Sequence, residues 1–89
     1  MNKVENTLDK IEKLVQHRGS ASEWFARAFM SWYRPSEKRE IDLSEVWRLD
    51  DENLELLIAL LKLRVCSLSP KERAKLTAIN DYIRKTRLI

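Results

Sequence analysis

Residues 53–66 read NLELLIALLKLRVC, and ten of these fourteen residues are apolar, with no glycine or proline among them. Leu, Ala, Glu, Lys and Arg are strong helix formers, so a helix is expected here. Leu54, Leu57, Ile58, Leu61 and Val65 recur at helical spacing along one stripe, and Leu56, Leu60 and Leu63 make a second on a neighbouring face. A helix that is apolar over most of its circumference is buried on several sides. The expected fold is therefore all-α: a compact bundle of four helices plus one short helix around a central apolar helix at 53–66. If one side of that helix stays open, the side carrying Leu56, Leu60 and Leu63 is the expected interface.

Working outward, Ser69-Pro70-Lys71-Glu72 follows the central stretch. Ser69 has the position of an N-cap, Pro70 that of the first helical residue, and Glu72 closes a capping box. The helix it opens, about 70–86, offers Leu76, Ile79 and Ile83 to a core, with Leu88 and Ile89 as an apolar tail that can fold back. Upstream, Asp50, Asp51 and Glu52 suit the positive start of the central helix. Before them, residues 41–48 predict the short helix, capped by Asp42 or Ser44, with Leu43, Val46 and Trp47 turned to the core.

Residues 20–33 predict a helix with Phe25, Ala28, Phe29 and Trp32 on its main apolar face. Ser20 and Glu23 have capping-box spacing, Ser22 is the competing cap, and Arg34-Pro35 ends the helix because the residue before proline avoids helical dihedrals. Residues 3–17 predict a first helix with Val4, Leu8, Ile11 and Val15 on one face. Gly19 then fits a left-handed position that ends it, with His17 and Arg18 favourable to its dipole.

Eighty-nine residues make one domain, 1–89. Charged residues are 35% of the chain, but hydrophobic ones are 44%, which is a globular composition rather than a disordered one. One cysteine permits no intramolecular disulfide, and a secreted domain of this size usually needs such staples. The N-terminus MNKVENTLDKIEKLV is too charged for a signal peptide, and the central helix is too short to cross a membrane. A cytoplasmic protein with no membrane contact is expected.

Chemistry finds few footholds. His17 and Cys66 are the only residues of their kinds, and two isolated soft ligands do not make a metal site. Cys66, at the end of a helix, is disfavoured as a thiolate. The acidic residues Asp50, Asp51, Glu52, Asp42 and Glu45 fall at helix starts, where capping accounts for them. A single glycine excludes phosphate-binding loops. No catalytic residue, metal or cofactor is expected, and the protein reads as a non-enzyme.

Two binding classes remain. Residues 62–89 hold eight basic residues against two acidic ones, whereas residues 1–61 hold nine against twelve. Lys71, Arg73, Lys75, Arg84, Lys85 and Arg87 on the last helix are thus candidates for contact with nucleic acid, where they should form one stripe. They are equally candidates for contact with a protein. Trp24 and Tyr33 lie at the edge of the aromatic face, and Trp and Tyr are enriched at interface hot spots. A protein partner is the leading expectation, a small DNA-binding protein using the basic C-terminal helix is the alternative, and homodimerisation through leftover apolar surface is a third.

Residues 26–50, ARAFMSWYRPSEKREIDLSEVWRLD, carry a resemblance. An Ala-containing helix ends in the aromatic pair Trp32-Tyr33, a variable loop follows, and Ile41-Asp42-Leu43-Ser44-Glu45-Val46-Trp47-Arg48-Leu49-Asp50 leads into an apolar helix. This pattern resembles a family of uncharacterised small helical proteins encoded on proteobacterial plasmids, integrative elements and phages. The shared residues are caps and core aromatics, so the resemblance implies no activity. It implies a setting: an accessory or inhibitor protein of a phage or mobile element that occludes a partner, for example a host defence complex.

Overall fold

The computed structural model describes residues 3–17, 19–65 and 67–86. The expectations for Arg18, Cys66, Arg87, Leu88 and Ile89 lie outside them. Four α-helices run in order: α1 (Lys3–Gln16), α2 (Ser20–Tyr33), α3 (Asp51–Lys62) and α4 (Pro70–Thr86). A six-residue 3-10 helix, Leu43–Arg48, precedes α3, and 3-10 turns lie at Pro35–Glu37 and Leu63–Val65. The described residues contain no strand, so the fold is all-α, and its radius of gyration is 12.2 Å.

Local chemistry sets most boundaries. At α4 both arms of the capping box form: the Glu72 N–H donates to Ser69 Oγ at 3.2 Å and the Ser69 N–H to Glu72 Oε1 at 2.7 Å. Asp50 caps α3 by accepting from the Asn53 N–H at 2.8 Å. Asp42 caps the 3-10 helix, its Oδ1 accepting from the Ser44 N–H at 2.9 Å and the Ser44 hydroxyl at 2.6 Å. Proline ends α2 as expected, with Arg34 at an extended φ of −126°.

The start of α2 differs from expectation. Ser20 is already helical, Gly19 is the N-cap, and no side chain caps the helix. Gly19 is extended (φ 173°, ψ 178°), not left-handed. Its carbonyl accepts from the Glu23 N–H at 3.0 Å. Ser22 instead turns inward, and its hydroxyl donates to the Leu14 carbonyl at 2.6 Å. That carbonyl also accepts from the His17 N–H at 3.2 Å, so the Ser22 hydroxyl is a second donor on it and ties α2 to the end of α1.

The core also has a different centre. α2 is the most enclosed helix: Ser22, Trp24, Phe25, Ala26, Ala28, Phe29 and Met30 are all buried. α1 packs against α2, α3 and α4 through the stripe Leu8, Ile11 and Val15. Leu76, Ile79 and Ile83 of α4 complete the core. α3 is a wall rather than a hub. Its inward face is Leu57 and Leu60, followed by Leu63, with Leu56 half-buried. Only Ser20, Glu23 and Arg27 of α2 are exposed, and the aromatic volume of Phe25, Phe29 and Trp24 makes it the main contributor to the core.

Candidate functional site: an apolar surface on α3 and the 3-10 helix

The side of α3 that stays open is not the expected one. Leu60 and Leu63 are buried, and solvent instead meets Leu54, Ile58 and Leu61, which are 37%, 45% and 52% exposed. These lie at i, i+4 and i+7, one continuous stripe. Two further residues expected in the core are also outside: Leu43 is 70% and Trp47 76% exposed. For Trp47 the cause is helix type: in the 3-10 helix side chains recur every three residues, so Val46 and Leu49 share the inward side and Trp47 is carried outward. Leu43 has the spacing of Val46 and Leu49 yet, as the first residue of the helix, is exposed.

The surface has structure. Leu43 and Leu61 line one groove of about 250 Å³ together with Trp32, Ile41, Leu57 and Arg64. The Trp32 indole nitrogen is buried without an acceptor among the described residues. On the 3-10 helix the Arg48 guanidinium lies 5.9 Å from the Trp47 ring centroid and also pairs with Glu45 at 3.3 Å. Trp47 is thus braced on one face by a cation while most of the ring meets water.

The residues that sequence reasoning favoured have other work. Trp24 is buried, and its indole N–H donates to the Asp42 carbonyl at 3.1 Å, so it is a core residue and not an exposed anchor. Tyr33 is half-buried. Its ring stacks on Phe29 at 5.4 Å, Arg34 sits 5.6 Å from its centroid, and its hydroxyl shares a 3.3 Å hydrogen bond with Thr77.

The basic residues of α4 do not form one stripe. At about 100° per residue, Lys71, Lys75 and Lys85 fall on one side of the buried face and Arg73 and Arg84 on the other. Contacts agree with that division. Lys71 pairs with Glu5 at 3.7 Å and Lys75 with Asp9 at 2.7 Å, both on α1. Arg84 pairs with Glu37, in the Pro35–Glu37 turn, and its Nε–H donates to Asn80 Oδ1 at 3.3 Å. Arg73 and Lys85 are exposed. The basic helix is therefore clipped to its neighbours along both flanks.

These pairs leave a titration signature. The hydrogen bond from Arg84 holds the Glu37 carboxyl below its ordinary value, helped by Arg39. The Ser44 hydroxyl and N–H lower that of Asp42, and the hydrogen bond to Asp9 raises the Lys75 ammonium.

A groove of about 640 Å³ runs between α1 and α3. Its walls mix Lys10, Lys13 and His17 with Glu52 and Glu55. Among the described residues no three His, Cys, Asp or Glu side chains converge, and no helix is long and apolar enough to cross a membrane. Comparison of the chain with protein-family models, curated proteins and solved structures finds no match.

Proposed function

We propose that this chain is a non-enzymatic, cytoplasmic protein-binding module that acts by occluding the surface of a partner protein. The observation that carries this is Trp47, a large aromatic held by Arg48 with most of its ring in water. Exposing a tryptophan costs hydrophobic free energy that burial in a partner recovers, and Trp is prominent among interface hot spots. Leu43, which shares a groove with Leu61, and the α3 stripe are further exposed apolar residues, and exposed apolar patches mark interaction sites. The contact therefore moves from Trp24 and Tyr33 to Trp47 and Leu43. The setting, an accessory or inhibitor protein of a phage or mobile element, is supported by the resemblance of residues 26–50.

The test is capture from host cells with wild type and Trp47→Ala in parallel. One dominant protein should be retained by wild type and lost from the variant, with the two melting alike. Retention by both would overturn the assignment. A mobility shift on duplex DNA at low salt tests the alternative: a complex that weakens steeply with added salt would favour the basic helix as the functional element instead.

A further inference from the structure

We propose that the exposed stripe of α3 is covered by a second copy of this chain, the two α3 helices packing antiparallel about a two-fold axis beside Ile58. This rests on the reading of the α3 surface as a protein contact and names the occupant of that part of it.

The charge pattern around the stripe selects the occupant. Asp50, Asp51, Glu52 and Glu55 crowd the N-terminal half of this segment, and Lys62 and Arg64 mark its C-terminal end. Asp51, Glu55 and Lys62 are exposed and, at i, i+4 and i+11, share one flank of the stripe Leu54, Ile58 and Leu61. An isologous interface places the same patch of each copy against itself. In the antiparallel arrangement Leu54 faces Leu61 of the second copy twice, with the two Ile58 side chains between them. The same operation sets the acidic half of each flank against the basic end of the other, so Glu55 approaches Lys62 of the second copy twice. A parallel pair would instead carry the two charged flanks to opposite sides of the seam, where Glu55 of one copy and Lys62 of the other do not meet. Such flanking charges choose orientation and partner more than they add affinity. Trp47 lies on the 3-10 helix rather than on this stripe, so the dimer leaves the proposed anchor for the other partner in place.

The experiment is sedimentation equilibrium of the full chain from roughly 1 µM to roughly 1 mM, a range that brackets weak association. Wild type should move from monomer to dimer mass. Ile58→Asp should stay monomeric with an unchanged circular dichroism spectrum. Glu55→Lys, a surface change that leaves the fold intact, should weaken the dimer about tenfold by setting lysine against Lys62, and Glu55→Lys with Lys62→Glu should restore it. A wild-type monomer at every concentration would overturn the proposal, and so would a double variant no tighter than Glu55→Lys. Trp47→Ala should dimerise like wild type. Loss of partner capture with an intact dimer therefore counts against the partner assignment alone, and a monomer that still captures its partner counts against the dimer alone.

Discussion

The indole N–H of Trp24 donates to the backbone carbonyl of Asp42 across 3.1 Å, joining the most enclosed helix to the segment that displays Trp47. Asp42 also caps the 3-10 helix through its side chain. One residue thus receives the core on its carbonyl and starts the exposed element with its carboxylate. The position of the apolar surface is fixed from inside the core.

Two tryptophans that look alike in sequence should respond differently to the same change. Trp24→Phe removes a made hydrogen bond and should cost about 1–2 kcal/mol. Trp32→Phe removes an indole N–H that is buried without an acceptor among the described residues, and should cost distinctly less. Urea unfolding of both variants measures the difference, and equal costs would contradict the role given to the Trp24–Asp42 bond.

The reciprocal cap of α4 gives a second test. Ser69→Ala strands the Glu72 N–H and should lower stability by about 1 kcal/mol. Glu72→Gln keeps an acceptor for the Ser69 N–H and should cost less, as read from the same unfolding curves.

Gly19 is an N-cap with no side chain to offer, and a Cβ built there meets nothing within 4 Å. Gly19→Ser adds a capping hydroxyl and restricts the unfolded chain. It should stabilise the protein by about 0.5–1 kcal/mol, raising the thermal midpoint.

The titration signature fixes a pH dependence. Glu37 and Asp42 have carboxyls lowered by folding, so their contribution is full above the ordinary carboxylate range. It is lost as the pH falls through the folded values. Lys75 is raised, so its contribution is full below the ordinary lysine value and is lost as the pH rises through the folded one. The melting temperature of Glu37→Gln with Asp42→Asn should lie below wild type at neutral pH and converge on it in acid. Added salt should shrink the neutral gap, since these groups are exposed.

How much of this was legible in the chain varies by element. The apolar spacing of Leu8, Ile11 and Val15 and the Ser69–Glu72 box are local signals, and each formed as written. Within residues 53–66 the helix was legible through Lys62, where Leu63–Val65 tightens to a 3-10 turn, but not which stripe faces inward, because leucines occupy both. That choice was made by α2, whose aromatic volume took the centre and left Leu54, Ile58 and Leu61 outside. Trp47 was misplaced for a geometric reason: α-helical spacing sends it inward, and the 3-10 helix actually formed sends it out. Ser20 and Glu23 had the spacing of a box, but the Gly19 carbonyl already takes the first helical bond and Ser22 turns to Leu14. The pairing of α4 lysines with Glu5 and Asp9 spans more than sixty residues, a separation at which no local pattern operates.

The most direct measurement is the affinity of the captured partner for Trp47→Ala, taken by calorimetry beside the unfolding midpoint of the same variant. A hot-spot tryptophan is worth about 2 kcal/mol or more, so affinity should fall about thirtyfold or further while the midpoint stays at the wild-type value. Affinity equal to wild type would contradict the assignment of this surface, as would a midpoint that falls in step with binding.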